Sequence, residues 1–89
     1  MRNKPFTLHV LNKPYQVEFL DSLGMKDNLG STSRSTQRIQ LLETLGTEQM
    51  EDTLLHEILH IISHELMLEL DEATICRLAV GLHSAGYRR

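Results

Sequence analysis

Five consecutive residues, His56-Glu57-Ile58-Leu59-His60, hold the densest chemistry in the chain. Two histidines at i and i+4 on an α-helix stand one above the other. Their ring nitrogens can then converge on one cation at roughly 2.0–2.1 Å, the zinc–nitrogen distance. Glu57 projects about 100° further round the helix. That offset keeps it out of coordination but within reach of a water on the ion's open side. It can take that water's proton as the metal lowers the water's pKa, and pass it to a leaving amine. The stretch has the form H-E-x-x-H, and Glu57 is the general base that form predicts.

A third histidine, His64, repeats the spacing with His60. Ile61 stands where the base of that second pair would be. His56 and His64 are separated by a rise of roughly 12 Å, too far for one ion on a straight helix. His64 is therefore read as a polar residue at the helix end.

A catalytic zinc site keeps three protein ligands and one open position. A third histidine in the pattern H-E-x-x-H-x-x-G-x-x-H is ruled out, because Ser63 and Leu66 stand where Gly and His would be. The remaining solution is a carboxylate from a following helix, with Glu65, Glu69, Asp71 and Glu72 as candidates. Glu65 belongs to the histidine helix and points away from its histidine face. Asp71 is better used as the N-cap of the second helix. Glu72, in the first turn of that helix, ranks first, with Asp71 and Glu69 as alternatives.

These groups need elements to hold them. Phe6, Leu8 and Val10 alternate with Thr7 and His9, and Tyr15, Val17 and Phe19 alternate with Gln16 and Glu18. This period of two predicts a hairpin over 6–20, turning at Asn12-Lys13-Pro14. Residues 21–30 are rich in turn formers and read as a loop. Residues 31–42 read as one strand of exposed or edge character. From Thr47, taken as the N-cap, to about Leu66 nothing breaks a helix. Its apolar arc is Met50, Leu54, Ile58, Ile61 and Ile62, widened by Leu55 and Leu59. Thr53, His56, Glu57, His60 and His64 fall on the other face. A second helix follows, capped by Asp71, with a core stripe of Ile75, Leu78, Ala79 and Leu82, and ends at Gly86. The expected fold is α+β: a small antiparallel or mixed sheet of about three strands packed on the histidine helix, followed by a second, C-terminal helix.

The 89 residues fit one minimal domain spanning 1–89, and the 40% hydrophobic content fits a globular chain. With aromatics at 4%, aliphatic side chains must supply most of the core, so a bound metal can matter to stability as well as chemistry. The formal charge of −3 argues against nucleic-acid and anionic-membrane partners. The single cysteine, Cys76, excludes an internal disulfide and fits a reducing compartment. The N-terminus has no signal-peptide pattern, and no apolar run reaches the length of a membrane span. The expected location is the cytoplasm.

Together these residues resemble the zincin metallopeptidases, in particular the smallest gluzincin-like members, the short proteins of this kind in phage genomes, and the related ImmA/IrrE-like peptidases. The resemblance runs from about Gly30 to Leu82. It rests on the polar strand with Gly30, Thr32 and Ile39, the lead-in Thr53-Leu54-Leu55, the motif HEILH and the segment LDEATICRLAVGL. It implies a zinc-dependent peptidase with one ion, whose third ligand lies on the helix after the active-site helix, at Glu72 by position. It also implies a peptide or protein substrate that adds as a strand to a sheet edge near residues 31–39. For a phage-encoded chain, the host cytoplasm would be the site of action. Thr74 stands where the ImmA/IrrE-like proteins carry Asn.

Two other readings compete. In one, zinc pins two helices together in a non-catalytic binding module. In the other, a metal-free protein binds a partner through its polar edge strand. The remaining chemical residues read more simply: His9 as a solvent-facing strand residue, His83 as a surface residue, Tyr15 as hairpin packing and Tyr87 as part of a frayed end. Cys76 is read as a small buried hydrophobe and Met67 as packing beneath the site.

Overall fold

The computed structural model describes residues 4–21 and 29–86. Most of the expected loop over 21–30, residues 22–28, lies outside the described residues, as does Tyr87.

The hairpin forms as β1, Phe6–Val10, and β2, Lys13–Leu20, paired antiparallel with Val10 opposite Lys13. Its turn is Leu11-Asn12, both left-handed at φ 51° and 67°. A two-residue hairpin turn needs that conformation to match the strand twist. Pro14, expected in the turn, sits in β2 opposite His9. The ladder to the next strand begins only at Gln16, so no bond there needs the N–H that proline lacks.

The polar segment expected as one strand over 31–42 is two: β3, Gly30–Ser33, and β4, Arg38–Leu42, folded back on each other with Thr32 opposite Ile39. The turn at 34–37, Arg-Ser-Thr-Gln, has Ser35 but no Gly, Pro, Asn or Asp. Gln37 supplies the left-handed residue at φ 54°. Its side-chain amide donates to the Pro14 carbonyl (2.5 Å), and its own carbonyl accepts from the Gln16 N–H (2.9 Å). β4 runs parallel to β2 between β2 and β3, so the sheet is mixed, of four strands, in the order β1-β2-β4-β3. The fold is α+β, with β3 at one edge and β4 inside.

Helix α1, Thr47–Glu65, lies on the sheet. Its N-cap is Gly46 rather than Thr47, with no side-chain cap; the Gly46 carbonyl accepts from the Met50 N–H at 2.8 Å. Leu54 and Ile61 enter a core with Val10, Tyr15, Val17, Ile39 and Leu41, against which Met50, Ile58 and Ile62 pack. Helix α2, Glu72–Ser84, packs on α1. Asp71 caps it as expected, its carboxylate accepting from the Thr74 N–H at 2.8 Å, and Gly86 follows at φ 90°. Only Ile75 and Ala79 of its stripe are buried; Leu78 and Leu82 remain 42% and 37% exposed. α2 rests on a helix rather than a sheet, so one partner covers only a narrow strip of it.

Between the helices, Met67 and Glu69 are both left-handed, at φ 53° and 54°. Buried Ser63 holds this connector at two points: its carbonyl accepts from the Leu68 N–H (2.9 Å) and its hydroxyl from the Leu70 N–H (3.0 Å). No described helix is long and apolar enough to cross a membrane.

Candidate metal centre

The regular turn of α1 stacks His56 and His60 with ring centroids 4.7 Å apart and their Nε2 atoms 3.1 Å apart. Glu72 reaches across from the first turn of α2. Its Oε1 lies 2.6 Å from His56 Nε2 and its Oε2 2.9 Å from His60 Nε2. Among the described residues, these three form the one group of His, Cys, Asp or Glu ligand atoms gathered within 4.8 Å of one another. Two imidazole nitrogens pointed at each other across 3.1 Å need a proton or a cation between them. Ligand atoms in a tetrahedral zinc site stand about 3.3 Å apart, close to these separations. Two imidazoles and one carboxylate also suit zinc, and the 62% exposure of the Glu72 side chain leaves one side of the group open. The residues fit the ion.

The other carboxylates considered as the third ligand are engaged elsewhere or lie outside the group. Glu65 pairs with Lys13 at 3.0 Å, Asp71 caps α2, and Glu69 is an exposed residue of the connector. Thr74 lowers the Asp71 pKa, first through its side-chain hydroxyl and then through its backbone N–H, both stabilising the carboxylate. His64 is exposed and outside the group, as its position at the helix end predicts. His83 meets Glu51 at 3.3 Å, and Tyr15 is 1% exposed in the core, so neither joins the group.

Three expectations need correction. Glu57, placed on the polar face, is only 8% exposed, because β3 lies against that side of α1. Its Oε1 accepts a 2.6 Å hydrogen bond from the Thr32 hydroxyl. Met67 does not pack beneath the site but stands 85% exposed on the connector, beside a depression that His60 also lines. Cys76 is exposed rather than buried, one turn beyond Glu72, with its Sγ 3.7 Å from His56 Nδ1 and 3.8 Å from Glu72 Oε1. Desolvation of the sulfur, then the Glu72 charge, pushes its thiol pKa up. The group is therefore a thiol, not a thiolate, behind the ring that faces Glu72.

Sequence reasoning gave no role at the site to two residues around Glu57 and the histidines. Thr32 reaches Glu57 from a strand 25 residues earlier, which no local spacing reveals. Asp52, one turn before His56, lines a cleft of about 400 Å³ with His56, Glu57, His60, Glu72 and Cys76, and among the described residues its buried Oδ1 has no hydrogen-bond partner. Its i−4 relation to His56 was the available signal.

Compared with protein-family models, curated proteins and solved structures, the chain matches none.

Proposed function

We propose that the protein is a zinc-dependent hydrolase of the zincin type, acting on peptide bonds, with His56, His60 and Glu72 as ligands of one ion. The observation that carries this reading is the convergence of both Nε2 atoms and both Glu72 oxygens on one spot beside a buried carboxylate, Glu57. Bound there, zinc would act as a Lewis acid toward the carbonyl oxygen and toward water.

The chain's own residues do the rest. Thr32 occupies Glu57 Oε1, which leaves Oε2 to take the proton of the attacking water. As the water oxygen bonds to the carbonyl carbon and the C–N bond breaks, Oε2 passes that proton to the departing nitrogen. A peptide can lie along the outer edge of β3, which among the described residues has no strand on its far side, with its scissile bond over His60 and Glu57. A reducing cytoplasm, of the host for a phage-encoded chain, suits the free Cys76 thiol.

The test is cleavage of a quenched-fluorescent peptide mixture by zinc-loaded protein, compared with Glu57→Gln and His56→Ala. Glu57→Gln keeps the metal and loses turnover; His56→Ala loses both. Unchanged turnover in Glu57→Gln defeats the proposal.

A second reading has its own observation. The buried residues of α2 are Ile75 and Ala79, and its Glu72 bridges both histidines of α1. Zinc would then fasten α2 in a non-catalytic binding module. Zinc binding and stabilisation without cleavage of any peptide in the mixture would select it.

A further inference from the structure

Gly30 and Thr32 are alternate residues of β3 and share one face, while Thr53 and Glu57 are one turn apart on α1. The two pairs meet in register. A Cβ built on Gly30 would stand 2.8 Å from Thr53 Cγ2 and 3.2 Å from Leu41 Cδ2. Two residues along, the Thr32 hydroxyl donates to Glu57 Oε1 at 2.6 Å. The strand can lie this close to the helix because position 30 has no side chain. Glu57 is 8% exposed, and among the described residues Thr32 is the partner its carboxylate finds. A buried carboxylate without a partner would pay the full desolvation cost and could swing between rotamers.

We propose that Thr32 is a positioning residue for Glu57, with Gly30 setting the distance at which it works. This rests on the hydrolase reading given above. The short hydroxyl–carboxylate bond fixes one oxygen and thereby the direction in which the other faces the cleft. The Thr32 hydroxyl need not touch substrate. Its effect passes through Glu57 and falls on the rate of the chemical step rather than on substrate capture.

The experiment uses zinc-loaded full-length chain and the peptide from a quenched-fluorescent mixture that the wild type cleaves fastest. Thr32→Val, which keeps the shape and removes the donor, is expected to lower kcat by about 10–100-fold with KM changed less than about twofold. Thr32→Ser, which restores the donor, keeps kcat within about threefold of wild type. Gly30→Ala lowers kcat as Thr32→Val does, and adding Thr53→Ser, which removes the struck Cγ2 atom, recovers it.

A second readout needs no metal. In denaturant unfolding of the metal-free protein, Thr32→Val lowers the midpoint of the wild type but lowers it less in a Glu57→Leu background, where the hydroxyl has no acceptor to lose. Full kcat in Thr32→Val, equal loss in Thr32→Ser, or an equal midpoint shift in both backgrounds overturns the proposal even if the wild type is an active hydrolase. A wild type that cleaves nothing, or a Glu57→Gln variant as active as wild type, sinks the hydrolase reading and this inference with it. Should Thr32→Val fail to fold, the Gly30→Ala and Gly30→Ala/Thr53→Ser pair decides alone.

Discussion

In the proposed reading, Glu57 and Glu72 are the same side chain set to opposite tasks. Glu57 is buried and pinned by Thr32, whereas the Glu72 side chain is 62% exposed and spans from α2 to both histidines. A base must hold one direction, while a ligand must reach a shared point. Glu57→Gln is expected to leave zinc affinity within about threefold and to lower kcat by at least about 100-fold, read by metal titration and peptide cleavage. Glu72→Ala, in contrast, weakens zinc binding at least about 100-fold in a competition titration with a chelator, because two imidazoles alone remain. The helical spacing made His56, His60 and the direction of Glu57 legible, since all three follow from one turn of α1. Spacing along the chain put Glu72 first but left Asp71 and Glu69 open; only the packing of α2 on α1 brings Glu72 beside both histidines. The burial of Glu57 was not, because the residues that cover it come from β3.

At the scale of elements, the caps of the two helices differ. α2 begins with a side-chain cap and α1 does not. Gly46 has extended backbone at φ −67° and ψ 163°, and a Cβ there would meet nothing within 4 Å. Gly46→Ser therefore adds a cap acceptor and reduces the freedom of the unfolded chain. It is expected to stabilise by about 0.5–1 kcal/mol, a rise of roughly 2–8 °C in melting temperature. Asp71→Ala has the opposite effect, with a pH signature. The folded pKa of Asp71 is lowered, so its contribution is fully present above the ordinary value of 3.8 and lost as pH falls through the folded pKa. The melting temperatures of wild type and Asp71→Ala should differ at pH 7 and converge as pH drops below 3.8. The alternation of apolar residues gave β1 and β2, and the long unbroken pattern gave α1. The division between β3 and β4 was hidden because Arg34-Ser35-Thr36-Gln37 offers Ser35 as its one weak turn former and is held by contacts of Gln37 to Pro14 and Gln16. Leu78 and Leu82 read as core by period, but among the described elements only α1 packs on α2, and the α2 residues it buries are Ile75 and Ala79.

For the whole molecule, the candidate ligands come from two helices, so a bound ion would join α1 to an α2 whose buried residues are Ile75 and Ala79. Free zinc at 100 times its Kd is expected to add about 2.7 kcal/mol of stability to the wild type, and far less to Glu72→Ala, in thermal melts with and without chelator. The order in which strands pair could not be read from the chain. β2 and β4 join in parallel, Gln16 beside Arg38, across a stretch that also makes β3. That pairing has a consequence in time. The hairpin β1–β2, the hairpin β3–β4 and the two-helix unit each close over a short span, whereas joining the two hairpins must wait for distant segments to meet. The histidines can come together early, within the helical piece alone. The hydroxyl that steadies Glu57 arrives only with the second hairpin. On dilution from denaturant, far-ultraviolet helical signal should therefore return first, and peptide-cleaving competence should lag behind it.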